Sequence, residues 1–316
     1  MILTETQFKE LIHGAYSFKK TENEYIYFTH YTDTQIEYLK FHKPFYDRAR
    51  FSSSITVEFI TDAENIEFSY KILEIGSRDS VDVYVNGVAV YIHSLRNAPE
   101  EDKITFKLNK GEKQVVIYLP IDMIFAIKDF CLDGHYQPVS KRETKVLWIG
   151  DSITQGYGSA YTSHSYVNVA NRRLGYELLN QGIGGYYYDC NIIQPLPDFS
   201  PDKIIVSLGI NGHINPEKEK MINDYYKALV HLYPNIPILS ITPLWAKADW
   251  IDMQGVLDTA KFIRNNAKMY PQISVLDGFE LVPHLSEYFI DGVHPNTLGM
   301  TLYAYNLVKE IESIGF

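Results

Sequence analysis

Through the first 120 or so residues, apolar and polar positions alternate with a period of two. Segments 24–29, 54–60 and 65–70 carry this alternation, which predicts strands with one buried and one solvated face. Val81-Asp82-Val83-Tyr84-Val85 and Val88-Ala89-Val90-Tyr91 flank Asn86-Gly87, which predicts a hairpin with a type I′ turn. Segments 104–108 and 114–119 flank a Lys-Gly turn and predict a second hairpin. Short strands at this spacing predict an antiparallel β-sandwich or jelly roll over residues 1–140, with a short helix near 5–13 ahead of it.

Beyond residue 145 the pattern changes. Apolar runs at 145–149, 176–179, 203–208, 236–241 and 273–276 are separated by segments near 164–174, 217–232 and 255–269 with helical periodicity, and a last such segment spans 297–314. Apolar runs of this kind are strands buried on both faces. Their alternation with helices predicts a parallel sheet covered on both sides, an α/β domain over 141–316. The stretch 132–144, with Gly134, Pro138 and the charged Lys141-Arg142-Glu143, is the predicted boundary. Asn215-Pro216-Glu217, and Asn296 before Thr297, read as helix starts.

Composition narrows the function. The 316 residues carry a formal net charge of −10, which argues against nucleic acid and anionic lipid surfaces as partners. No apolar run approaches the ~20 residues of a membrane span, and the opening Met1-Ile2-Leu3-Thr4-Glu5-Thr6 lacks the features of a signal peptide. Two cysteines, Cys131 and Cys190, fall in different predicted domains and read as free thiols in a reducing compartment, so a cytoplasmic location is expected. Homo-oligomerisation is left open. The 25 tyrosines suit β-sheet packing or stacking on sugar rings.

The candidate chemistry sits at strand ends. Ser152, in Gly150-Asp151-Ser152-Ile153-Thr154, follows the strand at 145–149, where open α/β sheets place their ligands. A serine nucleophile needs a base, a group that orients the base, and donors for the oxyanion. Asp291-Gly292-Val293-His294-Pro295 offers base and orienter on one loop. Gly185 and Asn211 lie in small-residue turns after the second and third strands.

These four blocks, in this order, resemble the SGNH (GDSL-type) hydrolase superfamily. The resemblance covers about residues 145–316 and implies a three-layer, flavodoxin-like domain. It also implies Ser152 as nucleophile, His294 as general base and Asp291 as its orienter, with the N–H of Ser152 and of Gly185 and the side chain of Asn211 as oxyanion donors. The third block departs from the usual G-x-N-D, because Gly212 stands in place of the aspartate, with His213 next. Asp151 reads as a turn residue, and His213 and His284 as structural histidines.

A β-sandwich ahead of such a domain resembles two-domain carbohydrate acetylesterases. That implies a small acylated carbohydrate as substrate and hydrolysis of short acyl, most simply acetyl, esters. Tyr186, Tyr187, Trp245 and Trp250 are the candidate substrate-binding aromatics. No set of residues has metal-ligand spacing, so neither a metal nor a cofactor is expected. The rival readings are a lysophospholipase or thioesterase on the same residues, and a catalytically inactive carbohydrate-binding protein.

Overall fold

The computed structural model describes every residue of the chain except Arg78. Among the described residues, two antiparallel sheets face each other across one apolar core. One sheet runs in the order Ile12–His13, Thr56–Thr61, Lys113–Tyr118, Ser80–Val85, Val88–Ser94, with Tyr136–Pro138 also paired to Thr56–Thr61. The other runs Ser17–Lys20, Ile26–Thr29, Met123–Leu132, Asn65–Ile75, Glu101–Lys107. Successive strands mostly switch sheets, as in a jelly roll. Val57, Phe59, Val83 and Ile117 of the first sheet meet Phe28, Phe68, Phe106 and Phe125 of the second, all buried. The predicted helix at the start spans Glu5–Glu10 and opens on a capping box at Thr4.

The Asn86-Gly87 hairpin forms as expected. Val85 pairs with Val88, and both turn residues have positive φ, 50° and 80°, as a type I′ turn requires. The second expected hairpin does not form. Glu101–Lys107 pairs with Asn65–Ile75, whereas Lys113–Tyr118 pairs with Thr56–Thr61 and Ser80–Val85 in the opposite sheet. The turn at Lys110-Gly111 carries the chain across the core. Two strands with one buried face each show the same alternation whether they lie side by side or face each other.

The parallel sheet has the order Glu177–Gly182, Lys145–Gly150, Lys203–Ser207, Ile238–Ile241, Ile273–Leu276. All four pairings are parallel, giving the flavodoxin-like 2-1-3-4-5 order. Val146 and Trp148 face Tyr166–Leu174 and Thr297–Ile314. Leu147 and Ile149 face Lys218–Leu232 and Met253–Ala267. Both faces are buried, which is why these strands read as continuous apolar runs. Asn296 caps the last helix, its Oδ1 accepting from the N–H groups of Leu298 and Gly299. At the other expected start, Asn215 accepts from the N–H of Glu217 and the helix begins at Lys218.

Two short helices, Asp33–Leu39 and Lys43–Arg48, interrupt the sandwich strands. Leu39, Phe45 and Ala49 are buried with Leu147, Leu179 and Ile183 rather than with the sandwich core. Tyr31 donates to the carbonyl of Gln181 at 2.8 Å. This early segment therefore lies against the carboxyl end of the parallel sheet.

Candidate active site

The register aligns Gly150 with Gly182 and with Ser207, so the turns after three neighbouring strands open on one edge. That edge lies where the strand order reverses, the usual ligand crevice of an open α/β sheet. The turn Ser152–Gln155 packs tightly on the strand ends. A Cβ on Gly150 would lie 2.0 Å from Thr154 Oγ1, and one on Gly182 would lie 2.5 Å from the backbone nitrogen of Gln155. Glycine at both positions lets the turn carrying Ser152 lie against the sheet.

Ser152 Oγ is 2.8 Å from His294 Nε2. His294 Nδ1 is 2.7 Å from Asp291 Oδ2. Asp291 Oδ1 accepts from the backbone N–H groups of Val293 at 3.0 Å and His294 at 2.8 Å. One carboxylate thus folds its own loop and orients the ring. Partial burial raises the Asp291 pKa, but the bonds from His294 and Val293 outweigh it and hold the carboxyl below its ordinary value. The group is ionised at neutral pH.

Gly185 has φ +81°, a conformation open to glycine at little cost. Asn211 donates through Nδ2 to the carbonyl of Tyr186 at 2.9 Å, so one amide hydrogen is fixed and a second remains. Both residues line, with Ser152, Asp291 and His294, a cleft of about 370 Å³. Arg48, Gly76, Asp122, Gln155, Tyr157 and Gly184 complete its wall.

Residues 148–302 match the model of the GDSL-like lipase/acylhydrolase family. The parallel-sheet domain belongs to that family. No curated protein sequence matches the chain. Among solved structures, a GDSL-like lipase candidate from Bacteroides ovatus is similar at 19% identity, covering 97% of this chain and 96% of that one, with a TM-score of 0.79. A salicylyl-acyltransferase, SsfX3, from a tetracycline biosynthetic pathway is similar at 18% identity, covering 96% and 94%, with a TM-score of 0.73. A family two carbohydrate esterase from Clostridium thermocellum, solved with cellohexaose, is similar at 14% identity, covering 96% and 99%, with a TM-score of 0.72. At these identities the likeness is one of fold, and it extends over both domains.

The GDSL-like domain brings together Ser152, His294, Asp291, Gly185 and Asn211, the residues singled out in the sequence. It does not bring the expected aromatics to them. Tyr186 is 3% exposed, with its hydroxyl on Asp189 at 2.8 Å and its ring against Phe45. Tyr187 stacks on Tyr186. Trp245 stacks on His284 and packs on Phe289. Trp250 is exposed but lies outside the cleft wall. The consecutive tyrosines instead seal the seam with the helix Lys43–Arg48, because their rings bury more area there than at an open rim.

The aromatic that does line the cleft is Tyr157, whose ring stands edge-on to His294 with centroids 4.8 Å apart. It lies only five positions beyond Ser152, so proximity to the motif was the available signal. Arg48 and Asp122 carried no such signal, since both are remote in sequence and reach the cleft only through the packing of the two domains.

His213 and His284 each place one ring nitrogen on a backbone carbonyl. The imidazole Nδ1 of His213 is 2.6 Å from the carbonyl of Ile210, and Lys218 Nζ donates to the carbonyl of His213 at 2.6 Å. These bonds brace the loop in which Gly212 replaces the usual aspartate. His284 lies 2.8 Å from the Phe279 carbonyl. Asp151 is buried, and burial pushes its carboxyl up to about 7. Its Oδ1 accepts from the N–H of Ile153 at 3.0 Å, a local turn contact. The described residues contain no cluster of three or more His, Cys, Asp or Glu suited to a metal ion. Among the described residues, no helix is long and apolar enough to cross a membrane. Cys131 and Cys190 are unpaired.

Proposed function

We propose that this protein is a serine esterase that removes short acyl groups from sugar or oligosaccharide hydroxyls through an acyl-enzyme. The observation that carries the reading is the continuous relay from Ser152 Oγ through His294 to Asp291, at 2.8 and 2.7 Å, beside two donors in one cleft. His294 Nε2 takes the Ser152 proton as the hydroxyl attacks the ester carbonyl. Asp291 holds the proton on Nδ1 and stabilises the imidazolium. The N–H groups of Ser152 and Gly185 and the amide of Asn211 receive the oxyanion. His294 then protonates the leaving alcohol, and water, activated by the same ring, releases the acid.

The lining supports a short acyl group. Among the described residues, the cleft wall holds glycines, polar and charged side chains and one tyrosine, and no aliphatic side chain. A long acyl chain gains about 0.8 kcal/mol per buried methylene only where apolar surface receives it. A polyhydroxylated alcohol suits Arg48, Asp122, Gln155 and Tyr157, which offer donors and acceptors around the serine. The shared two-domain layout with family two carbohydrate esterases supports the same substrate class.

A chain-length series of p-nitrophenyl esters, run beside acetate release from acetylated xylo-oligosaccharides, tests the proposal. Highest kcat/KM at two to four carbons, with release from the oligosaccharide, is the expected result. A maximum at eight carbons or more would point to a lysophospholipase or thioesterase. Inertness of folded protein on every ester would point to a binding protein.

A further inference from the structure

We propose that Arg48, supplied by the helix Lys43–Arg48 from the N-terminal half of the chain, is a positioning residue that polarises and fixes the peptide donating the Gly185 N–H to the oxyanion. The inference rests on the assignment of Gly185 above.

The peptide unit between Gly184 and Gly185 has the Gly184 carbonyl at one end and the Gly185 N–H at the other, and in a trans unit these point in opposite directions. Arg48 Nη1 donates to that carbonyl at 2.7 Å. A hydrogen bond from a guanidinium is stronger than a neutral one, and it draws electron density toward the carbonyl oxygen. Bonds linked through one peptide polarise each other. The N–H at the far end, on Gly185 in the cleft wall, therefore becomes a stronger donor.

The same contact solves a mechanical problem. Two consecutive glycines have wide backbone freedom, whereas an oxyanion donor must be held in place before charge develops. The N–H of Gly184 is held at 2.6 Å by Gln155 Oε1, and Gln155 Nε2 donates to Asp122 Oδ1 at 2.8 Å. With Arg48 on the carbonyl, both backbone polar groups of Gly184 are tied to side chains. Arg48 itself is seated by its own helix, where the ring of Phe45 packs against Tyr186 with centroids 4.9 Å apart. The N-terminal half thus shapes the reacting centre and does more than wall it.

The test compares Arg48→Met and Arg48→Lys with wild type on p-nitrophenyl acetate. Rates are expressed per serine titrated to end point with a fluorophosphonate, which removes any loss of folded protein. The expected result is a fall in kcat of roughly 10-fold or more for the Met variant, below the ~100-fold typical of losing a donor outright. KM should stay within about threefold, and the Lys variant should fall between Met and wild type. A Met variant with kcat within threefold of wild type, or a loss carried by KM, overturns the inference. Failure of the wild-type serine to react with the fluorophosphonate would instead remove the assignment on which the inference rests.

Discussion

Asp291→Asn offers a test in which geometry and proton location separate. In the native loop the carboxylate Oδ1 receives two backbone N–H groups, and Oδ2 faces His294 Nδ1 at 2.7 Å. An asparagine must keep its carbonyl oxygen toward the two N–H donors, since its amide nitrogen cannot accept from them. Its NH2 then faces Nδ1 and donates to it. The ring proton is driven to Nε2, which points at Ser152 and can no longer act as a base. For a buried orienting carboxylate this substitution costs about 10⁴ in turnover. The Asp291 side chain is 39% exposed, so water can partly rearrange around the ring. We therefore expect a loss of about 10³ at pH 7, or about 4 kcal/mol in the barrier. Asp291→Ala should retain more activity than Asp291→Asn, because it imposes no tautomer. The assay is kcat/KM on p-nitrophenyl acetate per titrated serine, with thermal melts to verify the fold. An Asn variant within 10-fold of wild type would refute the reasoning and leave His294 oriented by something else.

Asn211→Ala should lower kcat roughly 100-fold with little change in KM, and an unchanged kcat would remove Asn211 from the oxyanion site. Asp151 has a native pKa raised by burial to about 7, so its contribution to stability is full below about 4 and is lost as pH rises through 7. This amounts to about 4 kcal/mol by pH 8. Asp151→Asn should therefore flatten the fall of Tm between pH 4 and 8, and an unaltered slope would contradict the assignment. Glu177 joins the two domains. Burial raises its pKa, but bonds with His13, Lys141 and the Arg142 N–H outweigh this and depress it to about 2. Its contribution, about 3 kcal/mol, is present above pH 4.5 and is lost as pH falls toward 2. Glu177→Gln should lower Tm at pH 7 and converge with wild type near pH 2, and parallel curves would count against the depressed pKa.

How much was legible in the sequence depended on how local each signal was. The strand ends at Gly150, Gly182 and Ser207 could be read because a buried parallel strand is a continuous apolar run closed by small residues. The relay could be read because Asp291 and His294 share one loop and Ser152 follows a strand directly. The crossing at Lys110-Gly111 could not, since alternation records which face is buried and not which strand is the neighbour. The helices Asp33–Leu39 and Lys43–Arg48 went unread between strands with stronger periodicity. Arg48 went unread with them, because its place beside Gly184 is made by tertiary packing alone. Tyr186 and Tyr187 misled for a related reason: an aromatic next to Gly185 can equally face the cleft or the seam behind it, and here both pack on Phe45 in the seam.

The most direct measurement is intact-mass analysis of the protein after reaction with a fluorophosphonate, followed by peptide mapping, for wild type and Ser152→Ala. The account predicts one adduct per chain, on the peptide holding Ser152, with parallel loss of acetate release, and no adduct on the alanine variant. A folded wild-type chain that takes no adduct, or takes it at another residue, would contradict it.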